Sequence, residues 1–459
     1  MLGLIREVGA ALSRFTERWV PDSWVICMML TSVALVLAVV GAGVGVEDAV
    51  LAWGAGMWNL LALAMQFTIA MVMAHACVSS RPMFRLLDRL ASLPDPARPL
   101  GAVALAAAFS LVTAYLNWAL NIVACALFVP FVCRRNPRAD VRVLIAACYL
   151  GLGTVWHCGL SGSGPLILAT PGNPLVAPAS GAAIVDRLIP VDETLFAPFN
   201  LIYTFVIGAV GLLALLVIHP HKDRVTLRPE EVEAMLPKPP PAPVAAPTPA
   251  GRIESFSGWS WLAAGLIAYS LVRSIASKGF GAAWTIDSYN MVFLVAALLL
   301  HRNPLSFLEA CRRGMDATWG IIVQFPLYAG IFGLMTNTAL GEWLGDLFTR
   351  VATTDTYPLV VYVYSAFMNF FVPSGGSKWL IEAPYLIPAG RELGVSVTTV
   401  VLAYAYGDST TNIVQPFFAI PILAVTRLRF GEIVGYTSLV AAACFIVTVI
   451  AMLLIPVDL

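Results

Sequence analysis

AYAYGDSTTNIVQPFFAIP, residues 403–421, is the stretch on which the reading of the whole chain turns. Its apolar residues run to the length of a membrane span, yet 407–412 interrupt them with small and hydrogen-bonding side chains. A bilayer offers an exposed backbone no water, so a helix breaks there only where protein or a polar cavity receives the freed groups. The stretch therefore predicts a helix broken over 407–412. Asp408 is an ionisable group at membrane depth, the mark of an ion, proton or substrate path. Ser409, Thr410, Thr411 and Asn412 add hydroxyls and an amide without charge. The plainer reading is a satisfied polar kink that packs two helices.

Of 459 residues, 59% are hydrophobic and 12% charged, which predicts an all-α polytopic membrane protein set in a lipid bilayer and no nucleic-acid partner. Eight cysteines are scattered without a CxxC pair or a Cys/His cluster, which argues against zinc, iron–sulfur clusters and a disulfide framework. Lysine and arginine mark cytoplasmic loops, so their placement orients the spans.

Residues 1–22, with Arg6, Arg14 and Arg18, read as an amphipathic lead-in to a retained span at 23–44, not a cleaved signal peptide. A second span at 58–77 returns to a loop with Arg81, Arg85, Arg89 and Arg98. The apolar segment 99–132 is followed by another basic loop, Arg134, Arg135, Arg138 and Arg142, so the chain enters and leaves on one side. That segment is short for two full crossings, and a re-entrant hairpin fits it better. Asn117 and Asn121 then lie one helical turn apart near its tip. Two short spans with an Asn contact are the alternative.

Residues 141–179 mirror the opening stretch. Gly159-Leu160-Ser161-Gly162-Ser163-Gly164-Pro165 interrupts apolar flanks, glycine weakening the helix and Pro165 removing a donor. His157 beside this second break either carries a proton or binds an anion, or is a packing residue. A loop with Asp186, Asp192 and Glu193 lies outside, and 199–218 returns inward. Residues 219–256, centred on LPKPPPAPVAAPTPAG and carrying Lys222, Arg224, Arg228, Lys238 and Arg252, read as a semi-rigid cytoplasmic linker.

Spans follow at 259–275, 289–301 and 317–340. A second hairpin at 357–389 has PSGGSKW at its tip, 397–426 is the broken helix of the opening, and 434–456 ends outside. This path predicts about nine spans and two hairpins, in units 1–218 and 257–459. It puts 21 of the 27 Lys and Arg in segments read as cytoplasmic, with the N-terminus in the cytoplasm and the C-terminus in the periplasm.

The halves share weak, ordered similarity: Gln66-Phe67 with Gln324-Phe325, Trp118 with Trp379 at the hairpin tips, and Gly159-x-Ser161 with Gly407-x-Ser409. Matching spans run in opposite directions. Inverted repeats with discontinuous helices are the architecture of secondary transporters, which work by alternating access around a site near the midplane. Helix N-termini at the breaks suit a carboxylate, and unwound carbonyls and hydroxyls suit Na⁺ or a proton path.

HCGLSGSGPL (157–166), FVPSGGSKW (371–379) and YAYGDSTTNIVQPFFAIP (404–421) together resemble the bacterial short-chain fatty acid transporters of the acetoacetate/butyrate type, within the larger ion-transporter superfamily. The resemblance covers nearly the whole chain. It implies import of small monocarboxylates through the inner membrane, driven by a cation gradient; the superfamily implies paired re-entrant hairpins, often in homodimers with elevator-like motion. The sequence departs from the family pattern at 374–379, where SGGSKW replaces the expected SGGGQW, and at Glu382, where a neutral residue is usual. Lys378 and Glu382 are four apart and pair if the segment is helical. Lys378 then either meets a substrate with more or differently placed acidic groups, or is neutralised within the protein.

The expected site is a small organic anion held between the two breaks and the two hairpin tips. Backbone N–H groups and hydroxyls of Ser161, Ser163, Ser374, Ser377 and Thr410 hold its carboxylate, with Gly162, Gly375, Gly376 and Thr411 beside them. Asn117, Asn121 and Asn412 orient it, and His157 and Lys378 add charge. Asp408, with Ser409, couples transport to H⁺ or Na⁺, a sodium ion lying near Ser161, Asp408 and Asn412. No other metal or cofactor is expected.

Two other function classes fit parts of the sequence. Gly159-Leu160-Ser161-Gly162 matches the GxSG of intramembrane serine proteases, but no base is placed for it: His157 is too close along the chain to guarantee the geometry, and His75 and His301 sit at span ends. An ion channel is the other class, and broken helices in inverted halves favour alternating access over it.

Overall fold

The computed structural model describes residues 21, 23–176, 183–220, 224–238, 245–316, 318–415 and 417–459. The basic lead-in, the last residues of the first broken segment, Lys222, the prolines at 239–241 and Pro416 lie outside the described residues.

Among the described residues all regular structure is helical. The first unit contains α1 (Ser23–Val36) running into a π turn (Leu37–Gly41), α2 (Val46–Gly56), α3 (Leu61–Val78) and the amphipathic α4 (Arg81–Ala91). Next come α5 (Pro99–Leu116), α6 (Trp118–Arg135), α7 (Val141–Tyr149) with a 3-10 turn (Leu150–Gly153), α8 (Ser163–Ala169) and α9 (Pro198–Ile218). Connectors α10 (Pro229–Met235), α11 (Pro249–Glu254), α12 (Gly258–Lys278) and α13 (Phe280–Ala283) lead to the second unit. That unit holds α14 (Ile286–Leu300), α15 (Pro304–Met315), α16 (Trp319–Asn337), α17 (Leu340–Val351), α18 (Tyr357–Met368), α19 (Gly375–Glu392) and α20 (Val397–Asn412). A 3-10 turn (Phe417–Ala419), α21 (Ile420–Thr426) and α22 (Phe430–Leu454) complete it.

By length and composition α1 with its π turn, α3, α5, α6, α9, α16 and α22 can cross a membrane. The chain is an all-α polytopic membrane protein. On α9, Phe205 and Val217 are exposed apolar side chains of the kind lipid covers, whereas every residue of α7 and nearly every residue of α19 and α20 is buried. A helix enclosed on all sides belongs to the interior. The interrupted helices and the second hairpin are therefore the inner layer, and the long spans wrap them.

The two units exchange partners as a twofold axis requires. Helix α3 packs on α14 and α15, while α16 packs on α1 and α2; α5 lies on α7 as α18 lies on α20; α8 meets α19 as α21 meets α6. Phe67 and Phe325, predicted equivalents, touch each other with ring centroids 5.9 Å apart, as do helices α9 and α22. The packing also resets the finer register. Hairpin N-caps Asn117 and Ser374 each accept from the amide three residues on, so Trp118 corresponds to Gly375, not to Trp379. Counted from N-caps Asp140 and Ser396, Gly407 corresponds to Gly151, not to Gly159. Both glycines sit where a neighbouring helix comes close: a Cβ on Gly151 would lie 2.3 Å from the Ser110 carbonyl oxygen, and one on Gly407 2.4 Å from that of Tyr362.

The expected break at 407–412 is displaced. Helix α20 continues through Asn412 and the interruption follows it. Thr410 Oγ1 bonds back to the Tyr406 carbonyl at 2.8 Å, so the hydroxyls sit within a helical turn, and the chain leaves the helix on the approach to Pro416. The segment read as too short for two crossings instead holds two eighteen-residue helices joined through Asn117 alone, each long and apolar enough to cross a membrane, because one residue makes the whole turn. The amphipathic α4 and α17, and the short α2 and α15, were not distinguished in the sequence.

The linker is docked, not merely spacing. Val225 and Asp140 exchange contacts with the start of α7: Val141 N–H donates to the Val225 carbonyl at 2.9 Å, and Val225 N–H to Asp140 Oδ2 at 2.9 Å. Arg142 clasps the same carboxylate at 2.6 and 3.0 Å, and α10 packs on α6. Burial pushes the Asp140 carboxyl up, but the Arg142 guanidinium and the Val225 amide outweigh it and hold the pKa below its ordinary value. A depressed folded pKa gives stability that is present above the unfolded value of about 3.9 and lost as pH falls through the folded one. Asp140→Asn is expected to release the linker at neutral pH, read as faster limited proteolysis between α9 and α12 than in wild type; equal cleavage rates would show the clasp is dispensable.

Candidate functional site

Three separate elements deliver charge to one buried point. The second hairpin sends in Lys378 from the first turn of α19, α20 supplies Asp408, and the break between α7 and α8 supplies His157; all three side chains are essentially unexposed. Asp408 Oδ1 lies 3.0 Å from Lys378 Nζ and Oδ2 lies 2.8 Å from His157 Nε2. Lys378 Nζ also donates to the Ser365 carbonyl at 2.8 Å and Ser365 Oγ at 2.6 Å, and sits 4.5 Å above the centroid of Tyr404. Glu382 is 3.9 Å away. The lysine of the departed motif is thus neutralised within the protein, and its closest acid is Asp408, not the helical neighbour Glu382.

Gly375 is the condition for this meeting. A Cβ there would stand 2.3–2.4 Å from the His157 ring, so any side chain would push the imidazole from Asp408. His157 stacks on Trp156 at 4.2 Å, Trp156 on Trp118 at 5.6 Å and, edge-on, against Phe418 at 5.8 Å. The polar joint therefore borders an aromatic wall contributed by both units.

Residues 4–455 match the family model described as short chain fatty acid transporter. The chain belongs to the short-chain fatty acid transporter family. Among proteins named as short-chain fatty acid transporters, one from Escherichia coli (strain K12) is 37% identical over 94% of this chain and 96% of its own. Another, from Haemophilus influenzae, is 32% identical over 96% and 98%. The YdaH transporter of Alcanivorax borkumensis superposes with a TM-score of 0.58 at 16% identity, over 93% of this chain and 97% of its own, a likeness of fold. Membership of the short-chain fatty acid transporter family points to transport, not catalysis.

The structure brings some expected site residues together and assigns others to scaffolding. His157, Gly375, Lys378 and Asp408 form the joint. Ser161 Oγ accepts from the Trp118 amide at 3.0 Å, tying the first break to the first hairpin tip, where Asn117 caps α6 and leaves its buried Nδ2 without a partner. Gly162 and Ser163 start α8, and Gly162 is pressed to the His157 carbonyl. Ser374 caps α19 and bonds Ser377, while Gly376 lies against Phe67. Ser409 Oγ is buried without a hydrogen bond. Asn121 bonds Ser110 and Thr113 inside its own hairpin, and Thr410 bonds its own helix and Tyr362. Neither Asn121 nor Thr410 reaches the joint.

Thr411 and Asn412 meet at a residue the sequence reading passed over. Asn369 Nδ2 lies 2.8 Å from the Asp408 carbonyl, 3.0 Å from Thr411 Oγ1 and 2.7 Å from Asn412 Oδ1. Asn412 Nδ2 then reaches the Leu152 carbonyl of the first unit at 3.3 Å, and Gln415 donates to the Asn369 carbonyl. Ser365 and Asn369 were detectable as an i, i+4 polar pair in the otherwise apolar and aromatic 360–371.

Proposed function

We propose that the protein imports a short-chain monocarboxylate together with a proton across the inner membrane by alternating access. The observation that carries this reading is the buried joint of His157, Lys378 and Asp408, assembled from both units. Gly375 and Gly376 open an eighteen-residue helix against His157, where free amides and the helix dipole favour a carboxylate. Trp118, Trp156 and Phe418 suit a tail of a few carbons.

Charge counting supports one carboxylate. Asp408 already pairs with Lys378, so an anion that arrives with one proton adds no net charge, whereas a second carboxylate would bring a buried charge with no cation to meet it. The same pair favours H⁺ over Na⁺: both oxygens of Asp408 face nitrogen donors at 2.8 and 3.0 Å, and a sodium ion there would lie beside an ammonium. In this reading α5–α6 and α18–α19 are re-entrant hairpins, 1–218 and 257–459 are the inverted halves around a cytoplasmic linker, the N-terminus is cytoplasmic and the C-terminus periplasmic, and the transporter works as a homodimer.

Thermal unfolding of the purified protein with added acids tests the substrate class without interference from acid leaking through bilayers. Acetate, butyrate and acetoacetate should each raise Tm, butyrate at a hundred times its Kd adding about 2.7 kcal/mol. Glutarate and octanoate should leave it unchanged, with or without sodium. Stabilisation by glutarate but not butyrate, or a strict need for sodium, would overturn the reading.

A further inference from the structure

The two units give the molecule an internal control. Asn121 stands four residues past N-cap Asn117, and Lys378 four past N-cap Ser374. Their side chains do the same work: Asn121 Nδ2 reaches the Ser110 carbonyl and Oγ at 2.9 and 3.2 Å, Lys378 Nζ the Ser365 carbonyl and Oγ at 2.8 and 2.6 Å. One turn on, Cys125 holds the place of Glu382, with Asn121 Nδ2 3.5 Å from its sulfur as Lys378 Nζ is 3.9 Å from the glutamate. Twelve residues past N-caps Asp140 and Ser396, Leu152 holds the place of Asp408. One unit closes these helix contacts with Asn121, Cys125 and Leu152, the other with Lys378, Glu382 and Asp408. Burying ionisable groups is costly, and the equivalent positions of the first unit close the same helix contacts without them. The charges must serve the cycle.

We infer that Glu382 is the carboxylate that carries the coupled proton, an assignment that rests on the proton-symport reading. Lys378 Nζ donates to Ser365 O and Ser365 Oγ and faces Asp408 Oδ1, its nearest carboxylate oxygen, at 3.0 Å. The other oxygen of Asp408 faces His157. Glu382 is fully buried and neither of its oxygens accepts a hydrogen bond among the described residues. The groups around it are Lys378 and Tyr385 on its own helix, Ser365 and Tyr364 on α18, and Asp408 and Tyr404 on α20, with His157 beyond Asp408. Ser365 Oγ accepts from Lys378 and points its own hydrogen to the Tyr404 carbonyl at 3.3 Å, near Glu382, while Tyr364 bonds Tyr385. Lys378 Nζ stands 3.0 Å from Asp408 and 3.9 Å from Glu382, so the lysine pairs with the nearer carboxylate and leaves Glu382 without a cation of its own. An ionised Glu382 is an uncompensated buried charge, so it must release its proton when the site opens to water. One Glu382 oxygen takes a proton from outer water and returns it to cytoplasmic water; no other bond changes.

Infrared spectra of the purified protein at neutral pH, with no substrate, test the proton site directly. The C=O stretch of a protonated carboxylic acid is expected in wild type and absent in Glu382→Gln, which keeps the side chain's size and should keep Tm. In proteoliposomes with an imposed pH gradient, wild type should take up butyrate at an initial rate well above that of protein-free vesicles, whose leak of the undissociated acid reaches the same end point more slowly. Glu382→Gln should still exchange labelled for unlabelled butyrate but show no gradient-driven uptake above that leak rate. A carboxylic acid band that survives in Glu382→Gln, or an initial uptake rate in that variant equal to wild type, overturns the assignment. If the band maps to Glu382 yet neither protein exchanges butyrate, the proton site stands and the substrate reading fails.

Discussion

Lys378→Met is expected to lower stability by about 3 kcal/mol and to abolish uptake, because removing one member of a buried ion pair strands its partner. The lost lysine satisfied Asp408 at 3.0 Å and both oxygens of Ser365, and methionine can replace neither service. The loss stays near the lower end of the range for broken buried pairs because His157 Nε2 still faces Asp408 at 2.8 Å. The neutral unit supplies the matching rescue. Lys378→Asn, Glu382→Cys and Asp408→Leu together write Asn121, Cys125 and Leu152 into the second unit, and this triple variant should recover most of the lost stability while showing no gradient-driven butyrate uptake above leak. Tm and vesicle uptake measured on both variants decide it. A triple variant no more stable than Lys378→Met would mean that the charges hold the second unit together and that the two units are not interchangeable in the way their hydrogen bonds indicate.

The sequence carried the architecture further than the site. Hydropathy identified an all-α membrane protein, because in a bilayer backbone satisfaction leaves few alternatives, while the break expected at 407–412 falls after Asn412. Register was harder. Glycines at Gly159 and Gly407 look alike in a string of letters, yet Gly407 and its structural equivalent Gly151 are glycine because a helix lies against each, while Gly159 sits in the turns of the break. Asp408 was legible as the acid at membrane depth, and Lys378 as the departure from the family motif. Their pairing was not, since they are thirty residues apart and no helical spacing relates them. Asn121 and Lys378 were both picked out, but as substrate ligands; that they are the same position in two copies emerges only when each is seen gripping the serine of its own hairpin.

Asp408→Asn should fold, since asparagine keeps the shape, and should reduce gradient-driven butyrate uptake above leak about 10–100-fold, the scale of a coupling free energy between two sites. The reason is indirect. Losing the aspartate's charge leaves the Lys378 ammonium buried, and the one remaining acid that can balance it is Glu382, 3.9 Å away. Glu382 would then be held ionised as a permanent counterion and could no longer take up and release a proton, although the residue itself is intact. The variant is therefore expected to lose the carboxylic acid infrared band assigned to Glu382 along with uptake, a spectroscopic effect that a merely structural role for Asp408 would not produce. If Asp408→Asn keeps that band but loses uptake, Asp408 acts on the substrate and not through the charge balance; if it keeps both, Lys378 is neutralised some other way and the three-residue charge count is wrong. Either result would also bear on His157. Its imidazole faces Asp408 at 2.8 Å and is held there by Gly375, so a role confined to positioning Asp408 predicts that a His157 variant and Asp408→Asn have the same uptake defect and that combining them adds nothing further.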